Sequence, residues 1–283
     1  MITSISRRTF VAVAVSGLPL AGARSRLRIG VTDWNLRLGA NPAAVALAAS
    51  IGFEGVEVSF GRPKPGEAQL PADRTETVAA YREAFKKHGL AIAGTCVDAL
   101  HADCMMNGGR AVKRVSDAIR LTRDLGGKVL LLPFFGDCEI VAPGQIQSSI
   151  AALREVAPQA ERAGVTLGLE DSLSAADSLR IMDGVASPSL KVYYDPQNAI
   201  RWGHDPFKEI PSLGPSRICQ IHIKENAGYL GEGPVPWERL MKVIMDLGFT
   251  GWANLETTSP SRDVAADMRR NLAYVRRLTG SAG

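Results

Sequence analysis

A single closed (β/α)8 barrel is the architecture expected for residues 24–283, and three features of the chain point to it. Short runs rich in β-branched residues alternate eight times with longer stretches of helical period, as a parallel sheet with crossover helices requires. Several helical stretches stop at a glycine just before the next run. Eight repeats in 260 residues come to about 32 residues each, matching a barrel of roughly 250 residues. The first strand-to-helix turn lacks the glycine-rich phosphate fingerprint common in open doubly wound sheets, which favours closure.

The first strand is expected over residues 29–33, followed by a helix over 42–50 that ends at Gly52. The second pair is 55–59 and 75–88, with His88 complementing the helix dipole and Gly89 beyond it. Strand 91–97 leads to helix 111–125 and Gly126, and strand 129–134 to helix 145–163 and Gly164. Strand 166–170 leads to helix 178–185, while strand 191–195 precedes the most weakly written helix, 206–213. Strand 219–224 is followed by helix 237–247 and Gly248, and strand 252–256 by helix 264–278. No linker or composition shift divides the barrel.

Residues 1–23 stand apart from this pattern. Ser6-Arg7-Arg8-Thr9-Phe10, an apolar run from Val11 to Val15 and the small residues Ala21-Gly22-Ala23 resemble a twin-arginine export signal cleaved after Ala23. The run is far below the ~20 residues that span a bilayer, and no later apolar run is long enough either. The expectation is an exported, periplasmic protein without stable membrane insertion.

Loss of Arg7 and Arg8 lowers the formal charge from +4 to +2, with 31 basic against 29 acidic residues, a near-balance that argues against a nucleic-acid partner. Cys96, Cys104, Cys138 and Cys219 show no metal-site spacing and are read as buried thiols, Cys219 foremost because it sits in an apolar strand. Their disulfide state and the formation of a homo-oligomer are left open.

Active sites of such barrels lie at the C-terminal ends of the strands. The last four strands end on or near Glu170, Asp195, His222 and Glu256, at spacings of 25, 27 and 34 residues, each about one strand-helix unit. Neighbouring strands lie ~4.8 Å apart, so these groups should converge at the rim. Three carboxylates brought together repel one another, and a dication removes the conflict. One imidazole and three carboxylates suit Mn²⁺ above all, with Mg²⁺, Co²⁺ and Zn²⁺ also fitting.

The segments GLED around Glu170, YYDPQNA around Asp195, IHIKEN with LGEGPVPW around His222, and NLETT around Glu256 resemble the sugar phosphate isomerase/epimerase group of the xylose-isomerase-like TIM barrel superfamily. The resemblance implies one divalent metal held by these four residues, with Glu170 and Glu256 also moving protons. It implies an isomerase or epimerase that removes a proton beside a sugar carbonyl through a metal-stabilised enediolate. Asn198 and Lys224 stand where the family contacts substrate. Its ketose 3-epimerases carry a histidine three residues after the metal aspartate and an arginine beyond the metal histidine. This chain has Asn198 and the Gly228 region there, a departure in specificity.

Trp34 and Glu57 are further candidates to hold a sugar face and hydroxyl at the same rim, and His101 with Met105 and Met106 to form a lid. The Gly231-Glu232-Gly233 turn is a candidate anion nest. Export favours an unphosphorylated sugar or a glycoside. The same machinery suits a lyase that opens 3-keto-glycosides by β-elimination, and a non-catalytic sugar- or metal-binding barrel is the reading from another class. A trinuclear zinc nuclease of the superfamily would need more than four histidines.

Overall fold

The computed structural model describes residues 27–64 and 66–280, so the expected export signal lies outside the described residues. Eight parallel strands close into one barrel, each hydrogen-bonded to the next and β8 to β1. They are β1 (Arg28–Thr32), β2 (Gly55–Ser59), β3 (Ala91–Cys96), β4 (Val129–Pro133), β5 (Thr166–Glu170), β6 (Leu190–Tyr194), β7 (Ile218–Ile223) and β8 (Trp252–Leu255). Closure is carried by Arg28↔Trp252 through Val31↔Leu255.

The helices are α1 (Ala43–Ile51), α2 (Thr75–His88), α3 (Arg110–Leu125), α4 (Pro143–Ala163), α5 (Ala175–Val185), α6 (Pro196–Arg201), α7 (Pro206–Leu213), α8 (Trp237–Asp246) and α9 (Val264–Thr279). The first four end at Gly52, Gly89, Gly126 and Gly164 in the left-handed conformation, where a side chain would be strained. Ala186 does the same work after α5 at φ 57°, a helix end with no glycine to announce it. The expected weak helix forms as α7, capped by Asp205 onto Phe207 N at 3.0 Å. The short α6 is an addition to the expected elements. Its signal is Asp195-Pro196, an N-cap acceptor followed by a proline at the first helical position.

Most apolar side chains pack between the strands and the surrounding helices in one continuous core. The barrel interior is different. Gly30, Gly94 and Gly168 face Asn254, Gln220 and Tyr193, and a Cβ on Gly94 would stand 2.8 Å from Gln220 Oε1. Glycine on one strand thus leaves room for a large polar side chain from another. These polar groups form the layer on which the strand-end residues rest.

The cysteines correct one expectation. Cys104 and Cys138 form a disulfide, because the loops after β3 and β4 bring their Cα atoms to 4.8 Å. Cys96 is a buried free thiol, and Cys219, expected foremost among the buried thiols, is a free thiol that is only half-buried.

Candidate metal centre and active site

Strands β5 to β8 deliver four side chains to one point. Glu170 is the last residue of β5, Asp195 follows β6, His222 lies within β7 and Glu256 follows β8. One ligand atom from each lies within 4.8 Å of the others; Glu170, Asp195 and His222 are buried and Glu256 is half-buried. Strand register sets this convergence: His222 pairs with Asn254, and Glu256 N donates to Ile223 O at 2.9 Å.

His222 is held at both ring nitrogens. Its Nδ1 faces Glu170 Oε1 at 3.2 Å and Glu256 Oε2 at 3.4 Å, while Nε2 lies 3.0 Å from Glu57 Oε2. A proton on Nε2, donated to Glu57, leaves the Nδ1 lone pair aimed at the shared centre, as a metal-binding imidazole needs. Burial alone would lower the imidazole pKa, but the charges of Glu170, Glu256 and Glu57 outweigh it and hold it well above the ordinary value.

The remaining charges show the same crowding. Burial pushes the Asp195 carboxyl up to about 7, with Lys224 opposing and Glu170 and Glu256 adding to the rise. Asp195 Oδ1 caps α6, accepting from Gln197 N at 2.8 Å and Asn198 N at 3.0 Å. Its Oδ2 is buried without a hydrogen-bond donor, and the nearest cation, Lys224 Nζ, stands 3.6 Å away. An orphaned carboxylate oxygen beside two further carboxylates and an imidazole fits a dication, which would satisfy the oxygen and relieve the repulsion.

The two glutamates have different surroundings. Glu170 Oε1 accepts from Asn198 Nδ2 at 3.0 Å. Glu256 Oε1 accepts from Trp34 Nε1 at 3.1 Å, and its Oε2 pairs with Lys224 Nζ at 2.8 Å. Burial would raise the Glu256 pKa, but His222 and Lys224 bring it below the usual value, so it stands ready as a carboxylate. The partners raise the Lys224 ammonium in turn, against its own burial.

A cavity of about 610 Å³ opens above this cluster. Trp34, Asn198 and Lys224, expected as substrate contacts, line it, as does His101 from the loop expected to form a lid. Burial and then the charge of Arg62 lower the His101 pKa. Glu57 departs from expectation. It is fully buried beneath His222 and absent from the cavity wall, because it points inward from the middle of β2, two residues before the strand ends, and so lies one layer below the rim. There it accepts from Tyr193 Oη at 2.7 Å and Asn254 Nδ2 at 3.0 Å. Met105 is buried under the β3 loop instead of forming a lid. The Gly231–Gly233 turn is no vacant nest either: Gly233 abuts the carboxylate of Glu225, which accepts from the loop's own Asn226 N and Ala227 N.

The buried layer of Tyr193, Gln220 and Asn254 escapes a search for strand-end charges. Its signal is period two: each stands two residues before Asp195, His222 and Glu256, on the same face of the strand. Arg62, Asp98, Phe135, Glu139 and Trp202 also line the cavity from the connections beyond the strand ends, with Arg201 from the end of α6. Loop paths carry no such periodicity.

The sequence profile described as "Xylose isomerase-like TIM barrel" matches residues 45–278. The chain is 29% identical over 213 residues to 2-epi-5-epi-valiolone 7-phosphate 2-epimerase of Actinoplanes sp., covering 74% of this chain and 76% of that protein. It is 28% identical over 182 residues to L-ribulose 3-epimerase of Mesorhizobium japonicum, covering 60% and 61%. The crystal structure of D-psicose 3-epimerase in the presence of D-fructose superposes with a TM-score of 0.74 at 14% identity, over 90% of this chain and 100% of that one.

Proposed function

Because the chain belongs to the xylose isomerase-like TIM barrel family, we propose that it is a divalent-metal-dependent isomerase or epimerase that moves a carbon-bound proton beside a sugar carbonyl. The observation that carries the reading is the convergence of Glu170, Asp195, His222 and Glu256 within 4.8 Å at the floor of an open cavity. The epimerase relatives named above support the sugar class. An ion held by these four residues would supply Lewis-acid polarisation of a carbonyl and its neighbouring hydroxyl. The oxygen-rich donor set favours Mn²⁺.

The chain's own residues supply the proton chemistry. Glu170 and Glu256 reach the floor from β5 and β8, strands that are not neighbours in the barrel, and flank the space between them. Glu256, held as a carboxylate by Lys224 and Trp34, takes the proton from one face of the sugar. Glu170, oriented by Asn198, returns one from the other. Incubating the metal-loaded protein with ketoses and 3-keto-glycosides in D₂O tests this. Wild type should incorporate deuterium next to the carbonyl, and Glu256→Gln should lose at least ~10²-fold of the exchange rate. Equal exchange in both removes Glu256 from the chemistry. An enone product in place of an epimer would identify the β-eliminating lyase.

The protein acts outside the cytoplasm on an unphosphorylated sugar. The twin-arginine-type residues 6–10 support export, and the Cys104–Cys138 pair suits an oxidising compartment. Thiol labelling of periplasmic protein under denaturing conditions should modify two cysteines and leave two protected until reduction. Four labelled cysteines, or cytoplasmic recovery, would overturn this assignment.

A further inference from the structure

The wall of the cavity above the metal ligands is built of different chemistry. Phe135, in the loop after β4, and Trp202, just past α6, stack with centroids 5.8 Å apart and planes at 25°. Arg201 adds a guanidinium 4.9 Å from the Trp202 ring centroid. Both rings are half-buried and line the same cavity as Glu170 and Glu256. They flank the exit of β5, so this apolar wall adjoins the Glu170 side of the floor. Mutual stacking and the arginine contact fix the two rings in place, which spares the ordering cost of an apolar site.

The space has room for more than one small sugar. A volume of about 610 Å³ falls among pockets that take drug-sized ligands, well beyond a single six-carbon sugar. Nor is the wall built for a phosphate. Asp98 and Glu139 stand in the lining with Arg62 and Arg201, and the third lining cation, Lys224, is engaged by Glu256 and Asp195. Mixed charge beside an aromatic pair suits a neutral ring whose edges carry hydroxyls.

We propose that the substrate is a two-ring glycoside whose reacting sugar sits over the metal ligands while its second ring packs against Phe135 and Trp202. This rests on the proton-transfer reading of the same site. The chemistry restricts the substrate further. A sugar locked as a glycoside has no free carbonyl at its anomeric carbon. The carbonyl must then be a ring ketone, made by prior oxidation of a ring hydroxyl, or belong to a reducing sugar that carries the second ring.

The test compares one-ring and two-ring substrates with the metal-loaded full chain, reading deuterium exchange. D-fructose is paired with lactulose, and methyl 3-keto-β-D-galactoside with 3-ketolactose; the pair that exchanges identifies the source of the carbonyl. In wild type the KM of the two-ring member should be about tenfold below that of its partner. Trp202→Ala and, as a milder change, Phe135→Leu should collapse that ratio to within about twofold. Equal KM values in wild type, a ratio that survives both substitutions, or a phosphorylated ketose with a lower KM than any two-ring sugar would overturn the proposal. If nothing exchanges, the proton-transfer reading fails on its own terms. The subsite is then decided by cellobiose binding, read as tryptophan fluorescence change: saturable binding lost in Phe135→Leu upholds it, and no binding overturns it.

Discussion

Glu57 sends no atom into the cavity, yet it grips the Nε2 side of His222 at 3.0 Å while Tyr193 and Asn254 donate to the same carboxylate oxygen. A buried carboxylate with three such partners would act on a bound metal through the imidazole, by fixing its tautomer and raising its basicity. Glu57→Gln keeps the volume and removes the charge. It should weaken Mn²⁺ binding, measured by titration calorimetry, by about 10- to 100-fold. An unchanged Kd would reduce Glu57 to a packing residue. Asn198 shows the complementary case. A loop amide in the sequence, it becomes a buried donor to Glu170 because Asp195 caps the short α6 that carries it.

At the scale of elements, the loops after β7 and β8 are tied together by one carboxylate at the start of α9. Asp267 accepts from Ser259 Oγ at 2.6 Å, Ser261 Oγ at 2.7 Å and Tyr229 Oη at 2.8 Å. Burial alone would raise its pKa, but these hydroxyls bring it down to about 2 from the ordinary 3.8. A folded-state pKa below the unfolded one means that the ionised form stabilises the fold. The contribution is complete above about pH 4 and is lost as pH falls through about 2. Asp267→Asn should therefore lower the melting temperature at neutral pH, and the gap from wild type should close between pH 4 and pH 2. A gap that stays constant over that range would show that the ion is not the source of the stability. The same loops position Glu256 and the segment beyond His222, so their rigidity serves the site as well as the fold.

At the scale of the whole molecule, the barrel concentrates unfavourable charge at its mouth. Asp195, Glu170 and Glu256 face one another over a buried imidazole that bridges Glu170 and Glu256, while Lys224 bridges Asp195 and Glu256. A metal that binds only the folded barrel adds roughly 2.7 kcal/mol at a hundredfold excess over its Kd. For a barrel this size that corresponds to about 5–10 °C in melting temperature. Mn²⁺ should raise the melting temperature of chelator-treated protein by this amount, and EDTA should reverse it. A melting temperature indifferent to both would remove the metal from the account of this cluster.

How far the sequence reached follows from the range over which each signal acts. Alternating periodicity and helix-ending glycines are local, so eight strands, their order and the strand-end residues Glu170, Asp195, His222 and Glu256 could be read directly. Barrel closure then required them to converge, because parallel strands in a known order leave little freedom at their ends. Depth within the barrel is not local. Whether Glu57 faces substrate or holds His222 depends on the stagger between β2 and β7, strands three steps apart through the β8–β1 closure. Contacts between loops are still further from the sequence. The Cys104–Cys138 bond and the Phe135–Trp202 wall join segments whose approach is set by packing on neighbouring strands, and no spacing along the chain records it.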